Sequence, residues 1–308
     1  MELVLPGSAG KKTDWTMKYT LLVSAIFSGI LSSVGALGAD PTNLNDVAPD
    51  LAVPATVEAV PAPGLRVRSV TKGWEASAVY HALYLPRDWE AGRLYPVLVE
   101  YPGNGGYQNP LGDVSDGSVE GAVLGYGLSG GSGYLWVCLP CIDYDSEGGL
   151  QNDPKWWGDV ATTNRYAIDT VAEVCARYGG DPAQIVLCGF SRGAIATHYL
   201  GLHDDKIAAL WQAFFCHSHY DGVRVWPYPQ SDADSAKERL KRLGLRPVWI
   251  SQELTTTSTE DYLARSGMLV SATFVPLPFP NHSAGWVLRD LPERAQARAW
   301  LARLRTSP

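Results

Sequence analysis

A serine flanked by glycines is the residue of this chain whose neighbours best suit it to act as a nucleophile. Ser191 is the centre of a Gly-Phe-Ser-Arg-Gly sequence at 189–193, between the apolar run 185–188 and a helix-forming run at 194–200. A strand, a Gly-x-Ser-x-Gly turn and a helix in this order are typical of a nucleophile elbow, in which glycines permit a turn tight enough to expose the hydroxyl. The N–H groups that begin the following helix would then face developing negative charge. The pattern predicts covalent catalysis by Ser191.

The same five-residue pattern occurs a second time, around Ser129. Glycine makes up about 7% of ordinary sequences, so chance matches to this pattern are expected. No strand pattern precedes Ser129 and no helix pattern follows it, and residues 125–133 are rich in glycine and serine. We expect this stretch to be a flexible loop, and we do not expect Ser129 to be the nucleophile.

A serine nucleophile needs a general base, and His282 has the position for one. It follows the last predicted strand, in a Phe-Pro-Asn-His-Ser loop, and lies just before the last predicted helix. In elbow-bearing hydrolases the nucleophile, the acid and the histidine come in that order along the chain. We therefore expect the imidazole of His282 to take the proton of Ser191 and to return it to the leaving group.

The acid that orients the histidine is less clearly marked. Glu253 comes two residues after the seventh predicted strand, where such an acid belongs, and it is our first choice. Asp221, after the sixth predicted strand, is the alternative. The Gly-x-x-Asp sequence common after the seventh strand is absent, because Leu-Thr-Thr-Thr stands at 254–257.

Two main-chain N–H groups are needed to stabilise an oxyanion. Arg192, the residue after the nucleophile, would supply one, and its side chain would either meet an acidic substrate or pair with a neighbour such as Asp204. The glycine-rich loop 101–107 follows the third predicted strand, and Asn104 in it is the expected second donor. The alternative is that this loop is a plain glycine turn.

Two further groups of residues lie in the loops between predicted strands. His217, His219 and Asp221 have the spacing of metal ligands, but no fourth ligand is evident, so we expect no metal and no organic cofactor. Aromatic side chains at 156–157, 226–228 and 286 either stack on a substrate ring or anchor their loops to the core.

The elements that must position these residues alternate between strand and helix. The sequence contains eight strand patterns, at 65–70, 78–85, 96–101, 134–139, 184–188, 209–215, 247–251 and 273–277, and five helix patterns, at 163–178, 192–202, 235–243, 259–266 and 292–304. Such alternation predicts a mostly parallel sheet with helices on both faces. Eight strands with the nucleophile after the fifth match the α/β-hydrolase fold.

With these motifs, the chain resembles secreted esterases of the α/β-hydrolase fold, in particular the group of polyhydroxybutyrate depolymerases and feruloyl or acetylxylan esterases. The resemblance covers about residues 64–306 and rests on Tyr-Pro-Gly-Asn-Gly-Gly at 101–106, the elbow at 189–194 and Asn-His-Ser at 281–283. It implies the roles of nucleophile for Ser191, base for His282 and oxyanion donor for Asn104. Pro102 stands where the group commonly has histidine, and the acid region departs from the group's pattern.

The N-terminal 39 residues have the features of a segment removed on export. Lys18 precedes the apolar stretch 20–37, which ends in small residues before Asp40, as in a secretory signal peptide; a transmembrane anchor is the less favoured alternative. Translation would begin at Met1 or Met17. We expect residues 1–39 to be a signal peptide with an upstream extension, 40–63 a Pro/Ala-rich linker or surface arm, and 64–308 the catalytic domain. The mature protein would be secreted or periplasmic, without membrane attachment.

The charge composition of the chain limits which partners it can bind. The formal net charge of −7 argues against binding to nucleic acid. The sequence therefore predicts a secreted serine hydrolase that cleaves a small or polymeric ester, of the carbohydrate-linked, phenolic or polyester type, through an acyl-enzyme. A serine peptidase of the same fold and a non-catalytic binding protein on a hydrolase scaffold are the alternatives. The sequence leaves open the oligomeric state and the pairing of its five cysteines.

Overall fold

A computed structural model describes residues 43–268 and 270–305 of the chain. Within them the strands are β1 (Thr56–Val57), β2 (Arg66–Ser69), β3 (His81–Tyr84), β4 (Tyr95–Tyr101), β5 (Tyr107–Gln108), β6 (Val114–Ser115), β7 (Leu135–Cys138), β8 (Cys141–Tyr144), β9 (Leu150–Asp153), β10 (Gly180–Phe190), β11 (Ala213–His217), β12 (Pro247–Glu253) and β13 (Ser271–Leu277). The α-helices are α1 (Leu124–Ser129), α2 (Val160–Tyr178), α3 (Arg192–Tyr199), α4 (Asp205–Ala208), α5 (Ala233–Leu240), α6 (Thr257–Ser266) and α7 (Pro292–Leu304). Short 3₁₀ helices lie at Leu44–Asp46, Lys241–Leu243 and Ala284–Leu288.

The main sheet has nine strands in the order β1-β2-β3-β7-β4-β10-β11-β12-β13. All neighbouring strands are parallel except β3, which runs antiparallel to both β2 and β7. Each of the eight predicted strands has its counterpart in this sheet. The predicted number of eight is wrong by one, because Thr56–Val57 pairs in parallel with β2 at the edge. This edge strand has only two residues, which is too short for the alternation of apolar and polar residues that marks a strand in a sequence.

The apolar strands of the sheet separate two cores. All seven residues of β4 are buried, as a strand covered on both faces requires. One core includes apolar side chains of α2, α3, α5 and α6, and the other includes those of α1 and α7. The helices thus lie on both faces of the sheet, as predicted.

Residues 43–51 pack on the domain near the loop that carries His282. Leu44 is buried, and its N–H donates to Asn281 Oδ1 over 2.7 Å. The buried Asn281 amide also donates to Asn43 Oδ1 and to Asp113 Oδ1, each over 2.9 Å. The described part of the predicted linker therefore helps to hold the residue next to His282.

The prediction of a flexible loop at 125–133 is wrong for its first half, which forms helix α1. Buried Glu100 accepts hydrogen bonds from the N–H groups of Val123, Leu124 and Gly125 at the start of this helix, over 2.9–3.2 Å. The glycines are there because a side chain at Gly125 would overlap Trp136, as one at 127 would overlap Val287. Glycine has a low helix propensity and is common in loops. A helix that needs glycines for close packing therefore resembles a loop in its sequence.

The five cysteines are all described, and each is a free thiol. None of the helices in the described ranges is both long and apolar enough to cross a membrane. The apolar stretch 20–37, and with it the predicted signal peptide, lies outside those ranges.

Candidate active site

Ser191 lies on a sharp turn between β10 and α3. Its backbone has φ 53° and ψ −114°, which is rare for a residue with a side chain. Its N–H donates to the carbonyl oxygen of His217 at the end of β11, over 3.0 Å. The strained backbone is thereby held in place, and the hydroxyl projects from the turn, as the predicted elbow requires.

The two glycines of the elbow have no room for a side chain. A Cβ on Gly193 would overlap the backbone carbonyl of Tyr101, at the end of β4. A Cβ on Gly189 would overlap the backbone of Gly193 itself. The start of α3 therefore packs directly on two strand ends, which explains why both positions are glycine.

A chain of hydrogen bonds connects Ser191, His282 and Glu253. The Nε2 atom of His282 lies 2.8 Å from the Oγ atom of Ser191. Its Nδ1 atom lies 2.9 Å from Oε1 of Glu253, the last residue of β12. Since a carboxylate only accepts, Nδ1 carries a proton and Nε2 is the acceptor for the serine proton. The three residues chosen from the sequence are thus brought together in the arrangement of a catalytic triad.

Glu253 is held as a carboxylate. Burial alone would raise its pKa, but the hydrogen bond from His282, the proximity of His217 and the hydroxyl of Ser218 together lower the pKa of Glu253 to about 2. It is therefore ionised at neutral pH and able to stabilise an imidazolium at His282.

Asp221, the alternative acid, pairs with an arginine and not with His282. Both of its carboxylate oxygens accept hydrogen bonds from Arg239 of α5, over 2.8 and 3.0 Å. Both side chains are buried, so the pair is shielded from water. The structure therefore places Asp221 in a structural ion pair and Glu253 on the histidine.

Ser218 contacts the triad, and we did not predict it. Its hydroxyl donates to Glu253 Oε1 and lies 2.8 Å from Nδ1 of His282. Its backbone has φ 83°, and its N–H donates to the carbonyl of Ser251 over 2.7 Å. The turn after β11 aims a hydroxyl at the junction of the base and the acid, so Ser218 is a positioning residue. The sequence signal for it was a polar residue directly after a buried strand that neighbours the nucleophile strand.

Asn104 and Arg192 both line the cavity in front of Ser191, and their side chains have other partners. The Oδ1 atom of Asn104 accepts from the N–H of Trp156 over 2.7 Å. The buried guanidinium of Arg192 donates to the carbonyls of Trp156, Asp153 and Gly117, over 2.8–3.3 Å. The side chain of Arg192 thus pairs with neighbours, as one of the expected alternatives has it, but these neighbours are backbone carbonyls and not Asp204. What both residues can offer at Ser191 is their main-chain N–H.

The cavity at Ser191 has a volume of about 310 Å³ and largely aromatic walls. Its lining residues are Asn104, Gly105, Gly106, Tyr107, Ser115, Trp156, Phe190, Ser191, Arg192, Ile195, His219, Trp226 and His282. None of the described lining residues has a carboxylate. A larger cleft of about 710 Å³ lies beyond Tyr107 and Phe190, which it shares with this cavity. Its described lining does not include Ser191, so the smaller cavity is the one at the reacting hydroxyl.

The loop histidines and Asp221 do not converge as metal ligands would. The two ring nitrogens of His217 lie 3.1 Å from Ser251 Oγ and 3.0 Å from the carbonyl oxygen of Ser283. His219 instead faces the cavity, and Asp221 binds Arg239. In the described part of the chain, no group of three or more acidic, histidine or cysteine side chains could hold a metal ion.

Some of the aromatic loop residues line the cavity, and others anchor their loops to the core. Trp156 and Trp226 line the cavity, with ring centroids 5.7 Å apart. Trp286 is fully buried and stacks on Phe215 in the core. Trp157 is buried against Tyr199. Trp156 and Trp226 are therefore placed to touch a substrate, whereas Trp157 and Trp286 anchor their loops to the core.

Comparison with known proteins supports this architecture through structure alone. No protein-family model matches the sequence, and no curated protein matches it either. An esterase from Rhizomucor miehei aligns with a TM-score of 0.51 at 16% identity, covering 78% of this chain and 82% of the other. The chain has the α/β-hydrolase fold. DcsB, solved with a substrate analogue, aligns with a TM-score of 0.52 at 12% identity over 78% of this chain and 98% of the other.

A third solved structure with this fold is a larger protein. Dipeptidyl peptidase 4 from Porphyromonas gingivalis aligns with a TM-score of 0.50 at 14% identity, and 79% of this chain covers 36% of that chain. At such identities the likeness concerns the fold. The α/β-hydrolase class predicted from the sequence is therefore confirmed, while the activity must be argued from the site.

Replacing each candidate acid by its amide should separate their roles. In Glu253→Gln, the amide NH₂ would donate to Nδ1 and place the imidazole proton on Nε2, so kcat should fall roughly 1000- to 10000-fold with little loss of stability. In Asp221→Asn, kcat per folded molecule should be retained. That variant should lose about 3–5 kcal/mol of unfolding free energy, because the buried Arg239 loses its counter-ion.

Ester turnover and urea unfolding measure the two effects. Asp205→Asn is the matched control, since this aspartate is exposed, with a side chain 95% accessible, and pairs with Arg242 at the surface. It should change neither quantity. An inactive Asp221→Asn beside an active Glu253→Gln would mean that the acid is assigned to the wrong residue.

Removing the hydroxyl of Ser218 should slow the chemistry without weakening substrate binding. A hydrogen bond to a charged group contributes about 1.5–3 kcal/mol, so Ser218→Ala should lower kcat roughly 10- to 100-fold at nearly constant KM. Ser218→Gly also removes the hydroxyl, but relieves the cost of φ 83°. Equal losses of kcat in both variants are expected. A loss in the alanine variant alone would attribute the effect to backbone strain instead.

Proposed function

We propose that this protein is a serine hydrolase that cleaves neutral carboxylic esters through an acyl-enzyme. The observation that carries the proposal is the hydrogen-bonded chain from Ser191 Oγ through His282 to Glu253, with distances of 2.8 and 2.9 Å, at the wall of a cavity of about 310 Å³. A hydroxyl, an acceptor nitrogen and an oriented carboxylate in this order supply a nucleophile, a base and an orienting group.

Acylation follows from these positions. Ser191 Oγ attacks the carbonyl carbon while its proton passes to Nε2 of His282, and Glu253 stabilises the imidazolium that forms. The main-chain N–H groups of Asn104 and Arg192 stabilise the oxyanion. His282 then protonates the departing alkoxide oxygen, and the carbonyl forms again as the acyl-enzyme. In deacylation water takes the place of the serine, and the same histidine moves the proton in each direction.

The cavity favours uncharged substrates. Its described walls carry no carboxylate, and the guanidinium of Arg192, a lining residue, is turned into the protein to bind three carbonyls. Trp156 and Trp226 offer flat apolar faces. An ester linked to a carbohydrate, a phenolic acid or a polyester oligomer meets these conditions, in keeping with the resemblance to depolymerases and feruloyl or acetylxylan esterases.

The walls of this cavity do not favour peptide substrates that present a free amino terminus. Recognition of a buried ammonium group requires a carboxylate or a comparable set of acceptors. The described residues that line the cavity provide no such carboxylate. The likeness to a dipeptidyl peptidase concerns the shared fold, so peptidase activity remains the alternative that an experiment must address.

A fluorophosphonate probe tests the reaction class. The phosphorus should bond to Ser191 Oγ with loss of fluoride, and peptide mass spectrometry should find the label on that residue. Ser191→Ala should remain unlabelled. Ser129→Ala, which changes the other glycine-flanked serine, should be labelled like the wild type. A folded wild-type protein that takes up no label would be a binding protein on a hydrolase scaffold.

Aryl esters and peptide amides then distinguish the substrates. We expect turnover of esters in a series of acetyl, butyryl, octanoyl and feruloyl compounds, and none in Ser191→Ala. Hydrolysis of dipeptide amides with all esters left intact would identify a peptidase.

We propose further that the protein is exported, on the strength of the charged, apolar and small-residue order in residues 18–39. Expressed with its complete N-terminus in a secreting host, it should appear outside the cytoplasm with an intact mass that begins at Asp40. A full-length chain recovered with the membranes would instead favour a membrane anchor.

A further inference from the structure

His219 lines the cavity at Ser191 and has no role in the mechanism of the triad. It lies two residues beyond the end of β11, and its ring centroid is 5.1 Å from that of His282 and 5.2 Å from that of Trp226. It is also one of the residues lining the space in front of Ser191. A side chain in this position touches whatever is bound beside the scissile ester.

The hydrogen bond of His219 to the backbone determines which ring nitrogen carries the proton. Nδ1 lies 2.6 Å from the carbonyl oxygen of Ser218. A carbonyl oxygen only accepts, so Nδ1 must donate. Burial and the neighbouring His282 lower the pKa of His219 to about 4, so the ring is neutral near pH 7. Nε2 is therefore a bare acceptor.

No protein group in the described part of the chain satisfies that acceptor. The hydrogen bonds of the described residues include a partner for Nδ1 of His219 and none for Nε2. The neighbouring rings of Trp226 and His282 contact His219 at centroid distances of 5.2 and 5.1 Å, and neither makes a hydrogen bond to Nε2. An acceptor left open in a largely apolar cavity is best satisfied by a donor on the ligand.

We propose that Nε2 of His219 accepts a hydrogen bond from a hydroxyl group of the substrate, so that the site selects esters with a neutral hydroxylated group beside the scissile bond. This inference rests on the proposed ester hydrolase function. It adds a specificity-determining residue and a chemical class of substrate. The hydroxyl belongs either to the acyl group, as in a phenolic acid, or to the alcohol, as in a sugar or glycerol.

The positive groups around His219 disfavour a cationic donor. An ammonium group would lie beside His282, which becomes cationic during the reaction, and near Arg224, whose guanidinium lies 4.7 Å from the Trp226 ring centroid. A carboxylate has no proton to offer Nε2. A hydroxyl donates without charge, which suits both the acceptor and the aromatic walls.

Paired esters that differ by hydroxyl groups test the proposal. The acyl arm compares methyl 4-hydroxycinnamate with methyl cinnamate, and the alcohol arm compares glyceryl monobutyrate with propyl butyrate. In one arm the wild type should show the higher kcat/KM for the hydroxylated ester. His219→Phe should lower this ratio roughly three- to tenfold, the effect of one neutral hydrogen bond. His219→Gln, whose amide oxygen reaches about where Nε2 lies, should restore part of it.

The ratio makes the test independent of folding, because loss of folded protein lowers both members of a pair alike. His203→Phe, at an exposed histidine, is the matched control and should leave the ratio unchanged. Ester hydrolysis with an unaltered ratio in His219→Phe, in both arms, would overturn the role of His219 while leaving the proposed function intact. Absence of both probe labelling and ester hydrolysis in the wild type would overturn the two together.

Discussion

The approach of Gly193 to the carbonyl of Tyr101 is the contact on which the rest of the site depends. It allows α3 to begin directly against the end of β4, and it forces the chain to turn at Ser191 with φ 53°. A methyl group at Gly193 would separate helix from strand and carry the hydroxyl away from His282. The strain at Ser191 persists because neighbouring elements determine the turn from both sides, including the carbonyl of His217 that accepts its N–H. The position of the nucleophile is thus a consequence of backbone packing, and the chemistry is built around it.

The parallel sheet brings the remaining groups to this point. Strands β10, β11, β12 and β13 are neighbours, and in parallel strands the carboxyl ends lie at one edge. Ser191, Ser218 and Glu253 follow or end three of these strands, and His282 follows the fourth. Residues far apart in the chain therefore meet without a long ordered loop. The exception is the His282 loop, which the buried amide of Asn281 ties to Asn43 and Asp113.

The local sequence pattern was sufficient to locate the strands, the elbow and the histidine. It was insufficient where the structure or role of a residue depends on a partner distant in the sequence. Eight strands, Ser191 and His282 could be located because each is marked by its own flanking residues. Helix α1 could not, since its glycines serve contacts with Trp136 and Val287 that lie elsewhere in the sequence. The choice between Glu253 and Asp221 depends on Arg239, a residue of α5 that binds Asp221. Ser218 was missed because a polar residue after a buried strand does not by itself reveal the backbone angle that brings its hydroxyl to Glu253 and His282.

The two histidines of the cavity differ in how the protein uses the imidazole ring. His282 has its Nδ1 on a carboxylate, and a negative partner stabilises the ring when it takes a second proton. His219 has its Nδ1 on a carbonyl, which fixes the tautomer but does little to stabilise a positive charge. With ring centroids 5.1 Å apart, two imidazolium rings would repel each other. Keeping His219 neutral therefore favours the charged form of His282 in the transition state, and it leaves His219 free to recognise the substrate. Glu253 makes a hydrogen bond to the ring of His282 and none to that of His219. This one carboxylate therefore accounts for the different roles proposed for the two histidines.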